Sequence, residues 1–345
     1  MHKIIFTLSF LFFTLWMDDA VAKDRVIYDM TGSPVVVPKK IDKVITIGAV
    51  PVISSFIFAI DKGLVIKNAL PKTFTKVMTN KLYYTLATNA SKTAPYTIND
   101  ASVGVNIESI LQEKPQLVLT MDPTVAQLLR SKGLNTACLL WRNEQDAKHL
   151  MTFLGEVLDA KKKALEYNGY ADRKLDYVLS RIATIPAFEK QKVVYMDYKT
   201  MSNPHLIADW WIAQAGGISV TEQGRKTEKH SFSSEQLLVW NPDIIVLSNP
   251  NDVDEIYKNK ALSNISAIKH RRVLASPSGM HLWANRTSEQ PLMILWAAKQ
   301  FYPKYFSDLD IKKETIFFYS HFLNYRLSEQ DAKAILEPIS IEKGK

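Results

Sequence analysis

One cysteine, Cys138, is all the thiol this chain of 345 residues has, so an internal disulfide and a cysteine metal cluster are both excluded. Only 12 glycines and 15 prolines are present, which rules out collagen-like repeats and low-complexity linkers. No two histidines stand at i,i+4 and no His-Glu-x-x-His occurs, so a preformed zinc or nickel cage is not written in the sequence. Gly-x-Gly-x-x-Gly and the P-loop are missing, and with them a nucleotide cradle. Ser276-Pro277-Ser278-Gly279 lacks the nucleophile elbow, and nothing pairs a nucleophile with a base, so no enzyme is expected. Beyond the amino terminus no run of about 18 apolar residues could span a membrane.

What is present is the composition of a globular protein, 47% hydrophobic and 23% charged. Lys and Arg number 43 against 35 Asp and Glu, a basic excess that suits a partner of anionic ligands or surfaces. The lysines are scattered without an arginine-aromatic motif, so no nucleic acid is expected. Residues 1–22 have the form of a secretory signal: Met1-His2-Lys3 is basic, Ile4 to Met17 is apolar, and Ala20-Val21-Ala22 offers small residues for cleavage. The expected product starts near Lys23, is exported to the periplasm, and is monomeric.

The pattern of the remainder is α/β. Val26–Asp29 and Val35–Pro38 flank a Gly-Pro turn and predict a hairpin. A buried strand is expected at Lys43–Ile47, a helix at Pro51–Ile60 and a strand at Leu64–Ile66, with residues 67–106 looping over one edge. Two later blocks repeat one unit: Asn106 to Leu119 and Ser233 to Val246 each run through a capping residue, a glutamate, a short apolar helix, a proline and a β-strand. Between them a proline-free stretch from Lys161 to Ile185 predicts a long connecting helix, stopped by Pro186. A strand at Lys192–Asp197 restarts the second half. The fold class expected is two Rossmann-like lobes, each a mostly parallel sheet flanked by helices, joined by one long α-helix. The boundaries are 23–158 for the first lobe, 159–186 for the connector and 187–345 for the second lobe.

Certain residues in this order carry a resemblance: Tyr28-Asp29-x-x-Gly32, Gly48, the Glu108-to-Leu119 and Glu235-to-Val246 blocks, Ala215-Gly216-Gly217, Trp283-x-x-Arg286, Leu295 to Lys299 and Tyr302-Pro303. Over nearly the whole mature length the chain resembles the substrate-binding proteins of ABC importers that carry metal chelates. The resemblance implies a ligand held between two lobes, with iron-siderophore first and nickel chelate, haem or cobalamin as alternatives. A catalytic α/β protein acting on such a chelate is the contrasting class. It also implies docking on an inner-membrane permease through one glutamate per lobe, Glu108 and Glu235.

Ligands of open α/β sheets sit beyond the carboxyl ends of strands. Trp141 with Arg142, and Trp283 with Arg286, are therefore expected to grip an anionic chelate by stacking and forked hydrogen bonding. Tyr198 and His205 lie in second-lobe loops, and Tyr96, with Tyr83 and Tyr84, in the long first-lobe segment. His281, in the same loop as Arg286, is the candidate to complete the coordination of the chelated metal, iron or nickel.

Overall fold

The computed structural model describes residues 24–74, 76–90 and 104–338; the expected leader and Tyr96 lie outside the described residues. The hairpin is present, with β1 (Arg25–Tyr28) antiparallel to β2 (Pro34–Val37). Its turn closes on the Asp29 carboxylate, which accepts the backbone N–H groups of Thr31 at 2.9 Å and Ser33 at 3.0 Å. The same side chain pairs with Arg130 and accepts the Cys138 N–H at 2.7 Å, tying the hairpin to the first lobe.

That lobe is a parallel sheet in the order β3 (Val44–Ile47), β4 (Leu117–Thr120), β5 (Thr136–Cys138). Every residue of these strands is buried, as a parallel strand covered on both faces requires. Alternation splits them: Val44, Leu117 and Leu119 enter a large core, whereas Ile45, Ile47 and Val118 join Ile110, Val125 and Leu129 in a smaller one. The covering helices are α1 (Val50–Ala59), α2 (Val77–Leu86), α3 (Ile107–Glu113), α4 (Pro123–Ser131) and α5 (Glu144–Val157).

Two expectations are corrected here. The segment at Leu64–Ile66 is not a strand but a 3-10 turn, Gly63–Val65, followed by a single parallel bridge from Ile66 to Val44. The stretch read as an open loop contains α2. Its Thr, Asn, Val and Tyr residues are poor helix formers and no side chain caps it. Tertiary packing holds it instead: Thr79, Leu82 and Tyr83 are buried, with the Tyr83 ring edge-on to Phe58 of α1.

The connector is α6 (Lys161–Ile182), 22 residues and about 33 Å long at 1.5 Å per residue. It runs unbroken through Gly169 and ends slightly before the expected stop. The second lobe contains β6 (Lys192–Met196), β7 (Ser202–Asn203), β8 (Ile218–Ser219), β9 (His230–Ser231), β10 (Ile244–Leu247) and β11 (Val273–Ala275). Four of them form a parallel sheet in the order β11-β10-β6-β8, and β7 pairs with β9. Its helices are α7 (Ile207–Gln214), α8 (Ser234–Trp240), α9 (Val253–Lys258), α10 (Ser266–Lys269), α11 (Gln290–Phe301), α12 (Ile311–Phe322) and α13 (Glu329–Leu336). Val193, Tyr195, Ile244 and Val246 enter the large core, and Val194, Met196, Ile245 and Leu247 a separate one. The large core also takes Tyr167 and Tyr170 of α6, so the two lobes share one apolar interior.

The internal repeat holds at the level of caps. Asn106 and Ser233 each accept a backbone N–H at a helix start, Lys114 and Asn241 each close the helix in the left-handed region at φ +49° and +46°, and β4 and β10 follow at the same offset.

Candidate ligand cleft

Residues 276–289 follow β11 at its carboxyl end, where an α/β sheet presents its binding loops. They reach the first lobe at several points. Ser288 donates from its N–H to Ser55 Oγ at 2.9 Å and from its hydroxyl to the Ser55 carbonyl at 3.0 Å. Thr79 donates to the Gly279 carbonyl at 3.2 Å, and Lys76 Nζ lies 3.5 Å from Ser278 Oγ. His281 meets the ring of Phe74 edge-on at 5.5 Å.

Arg286 is the central side chain. Only 8% of it is exposed, and its backbone is left-handed at φ +54°, an uncommon state for a residue with a Cβ and one that tends to mark functional sites. Its Nε donates to the Trp141 carbonyl at 3.0 Å, and its Nη2 donates to both Glu228 carboxylate oxygens at 2.6 Å.

A second arginine organises the adjoining loop. Arg225 and Asp209 form an ion pair, each 6% exposed, with Nε to Oδ2 at 2.6 Å. The remaining Asp209 oxygen accepts the Ser219 and Thr221 hydroxyls, the satisfaction a buried carboxylate needs. With its charge met, Arg225 directs Nη1 to the Glu228 carbonyl at 2.8 Å and Nη2 to the His205 carbonyl at 3.2 Å.

The electrostatics follow from this crowding. Burial, then Arg286, lowers the His205 pKa to about 4; burial, then Lys76 and His205, lowers that of His281 to about 3. Both imidazoles are neutral at pH 7. Lys76 is exposed, yet desolvation by the protein around it lowers its pKa to about 8. Burial alone would raise Glu228, but the Arg286 contact outweighs it and holds the carboxyl below its ordinary range. At neutral pH the cleft therefore carries two cations, Lys76 and Arg286, one carboxylate and two neutral imidazoles.

Of the residues anticipated from sequence, His205, His281 and Arg286 come together. The two tryptophans are corrected. Trp283 is fully buried, and Trp141 is 3% exposed with its ring edge-on to Phe56 at 5.1 Å, so both are chiefly core side chains, Trp141 also bordering pockets beside Tyr167 and beside Arg142. Hydrophobic area wins over stacking because both sit where the lobes' shared core closes. Arg142 is exposed, its backbone N–H held by Asp146. Tyr198 packs against the outer core of the second lobe and accepts from Asn259 Nδ2 at 3.0 Å. Glu108 and Glu235 stand exposed in the first turns of α3 and α8. Sequence reasoning missed Lys76, Phe74 and Glu228. None belongs to a motif, and Lys76 lay in the segment read as an open loop.

A family model described as periplasmic binding protein matches residues 63–279. Molybdate-binding protein MolA of Haemophilus influenzae is 28% identical over 282 residues, covering 70% of this chain and 77% of MolA. A periplasmic solute binding protein from Veillonella parvula superposes with a TM-score of 0.73 at 25% identity, covering 91% of this chain and 97% of that one. The structure of MolA bound to molybdate gives 0.75 at 20% identity, with 88% and 99% covered. Helicobacter pylori CeuE in a Ni-His complex gives 0.74 at 16% identity, with 89% and 98% covered. The match spans well over half of the chain, and with two helix-flanked sheet lobes connected by helices it shows that this chain belongs to the periplasmic binding protein family, carriers of a small solute to an ABC permease and not enzymes.

Proposed function

We propose that the solute is a small multiply charged anion, an oxyanion of the molybdate kind first, bound by Lys76 and Arg286 from opposite lobes with His205 and His281 completing the wall. The observation that carries this is the pair of cations from the two lobes: Arg286 is buried and paired with Glu228, Lys76 is exposed and reaches toward Ser278, and the two tryptophans expected at the site, Trp141 and Trp283, are buried. Arginine suits such oxygens because its guanidinium presents a planar fork of donors. The relationship to a molybdate-binding protein supports the same reading. A second reading, an anionic metal chelate, is favoured by one specific feature: His281 and His205 are neutral at pH 7 and can give a lone pair to an open coordination position. Iron-siderophore, haem, cobalamin and nickel-histidine remain the chelates to test. Delivery would proceed through Glu108 and Glu235 on the permease. Calorimetric titration with molybdate, tungstate, sulfate and the four chelates decides between the readings: one-to-one binding of molybdate or tungstate supports the first, and binding of a chelate alone replaces it with the second.

A further inference from the structure

We infer that Glu228 is an internal counter-anion, occupying the donor of Arg286 that the solute's own oxygen takes, and turning away when the solute enters. This rests on the anionic-solute reading above and adds a regulating residue to that site.

Three observations carry it. The residue is anchored at its main chain and half exposed at its side chain: Arg225 holds the Glu228 carbonyl at 2.8 Å, while half of the side chain faces solvent. The residue lies between β8 and β9 in a segment without helix or strand, so the side chain can rotate without disturbing a ladder. Finally, the contact with Arg286 is a partial one. Both carboxylate oxygens share the single nitrogen Nη2, and Nε is committed to the Trp141 carbonyl. The stronger arrangement, two parallel N–H···O bonds from two nitrogens, is not made. Beyond Arg286, the carboxylate is held by the Leu206 N–H at 3.3 Å.

Charge arithmetic gives the device its purpose. With Glu228 seated, Lys76 and Arg286 leave an excess of one positive charge; with Glu228 turned out, the excess is two and matches a dianion. A solute with two negative charges therefore gains most from evicting the carboxylate, because only then does the charge facing it equal its own in magnitude.

The test is titration of the full-length mature protein with sodium molybdate, comparing wild type with Glu228→Gln and Glu228→Ala, each checked for folding by its ligand-free thermal midpoint. Both variants are expected to bind at least tenfold more tightly, and a molybdate complex is expected to show Arg286 Nη2 on the anion and Glu228 turned to solvent. Equal or weaker binding by both variants, with wild type binding normally, overturns the counter-anion role alone, as does a complex in which Glu228 stays on Arg286. Silence of all three proteins toward molybdate overturns the oxyanion reading itself.

Discussion

Arg286 of the second lobe donates from Nε to the carbonyl of Trp141 in the first lobe at 3.0 Å, so the residue that carries the cleft's charge also bridges its two walls. A lysine cannot do both. Its single ammonium lacks the planar fork that reaches a carbonyl and an anion at once.

Arg286→Lys is therefore expected to weaken solute binding about 10- to 100-fold, the value of one or two hydrogen bonds to a charged group. Calorimetry at fixed ionic strength measures it, and unchanged affinity would remove Arg286 from the site.

Lys76 gives the binding a pH dependence at the alkaline end. Its pKa of about 8 in the ligand-free cleft means that the ammonium is present below pH 8 and lost above it, and an anion must then restore the proton on binding. Affinity should fall by up to about tenfold per pH unit above pH 8. In Lys76→Arg the charge persists and the decline should vanish; an equal decline in both proteins would show that another group is responsible.

Glu289 shapes stability near neutrality. Burial raises its pKa to about 7, against the opposing hydrogen bonds from the Tyr319 hydroxyl and the Met280 N–H. A carboxyl raised above its unfolded value is protonated in the native state while the unfolded chain has already ionised. Its contribution is thus complete below about pH 4.5 and disappears as pH rises through 7, a change of roughly 3 kcal/mol. The two histidines act in the opposite sense: lowered to about 4 and 3 in the fold, they contribute stability above about pH 6.5 that is lost on acidification. Because the histidine contribution is common to both proteins, urea unfolding at pH 6 and pH 8 should show the stability of Glu289→Gln rising relative to wild type by about 1 kcal/mol between the two values; parallel curves would exclude the assignment.

Glu108 and Glu235 are exposed, one on each copy of the repeated unit, and neither is among the residues that line the cleft. The double variant Glu108→Ala with Glu235→Ala should keep full solute affinity and lose stimulation of the permease's ATPase in proteoliposomes. Undiminished stimulation would assign docking to other residues.

The sequence by itself determined the lobes and their repetition. Strands such as Val44–Ile47 and Ile244–Leu247 are β-branched or aliphatic at every position, and the caps at Asn106 and Ser233 are local interactions within four residues of chain. Signals of that kind survive in one dimension because the physics behind them is local. That His205, His281 and Arg286 come near one another was also within reach, since all three lie in loops that follow strands of the second lobe. The tertiary structure alone decided the rest. Whether Trp141 and Trp283 faced a ligand or the core depended on Phe56 and the shared interior, far away in sequence. Lys76 became part of the cleft only because α2, weak in helix propensity, is held by packing against α1 and brings it beside Ser278, some two hundred residues later. Glu228 acquired its meaning from Arg286, 58 positions along the chain. Contacts between distant residues, made by burial and charge, leave no periodic trace in the chain that makes them.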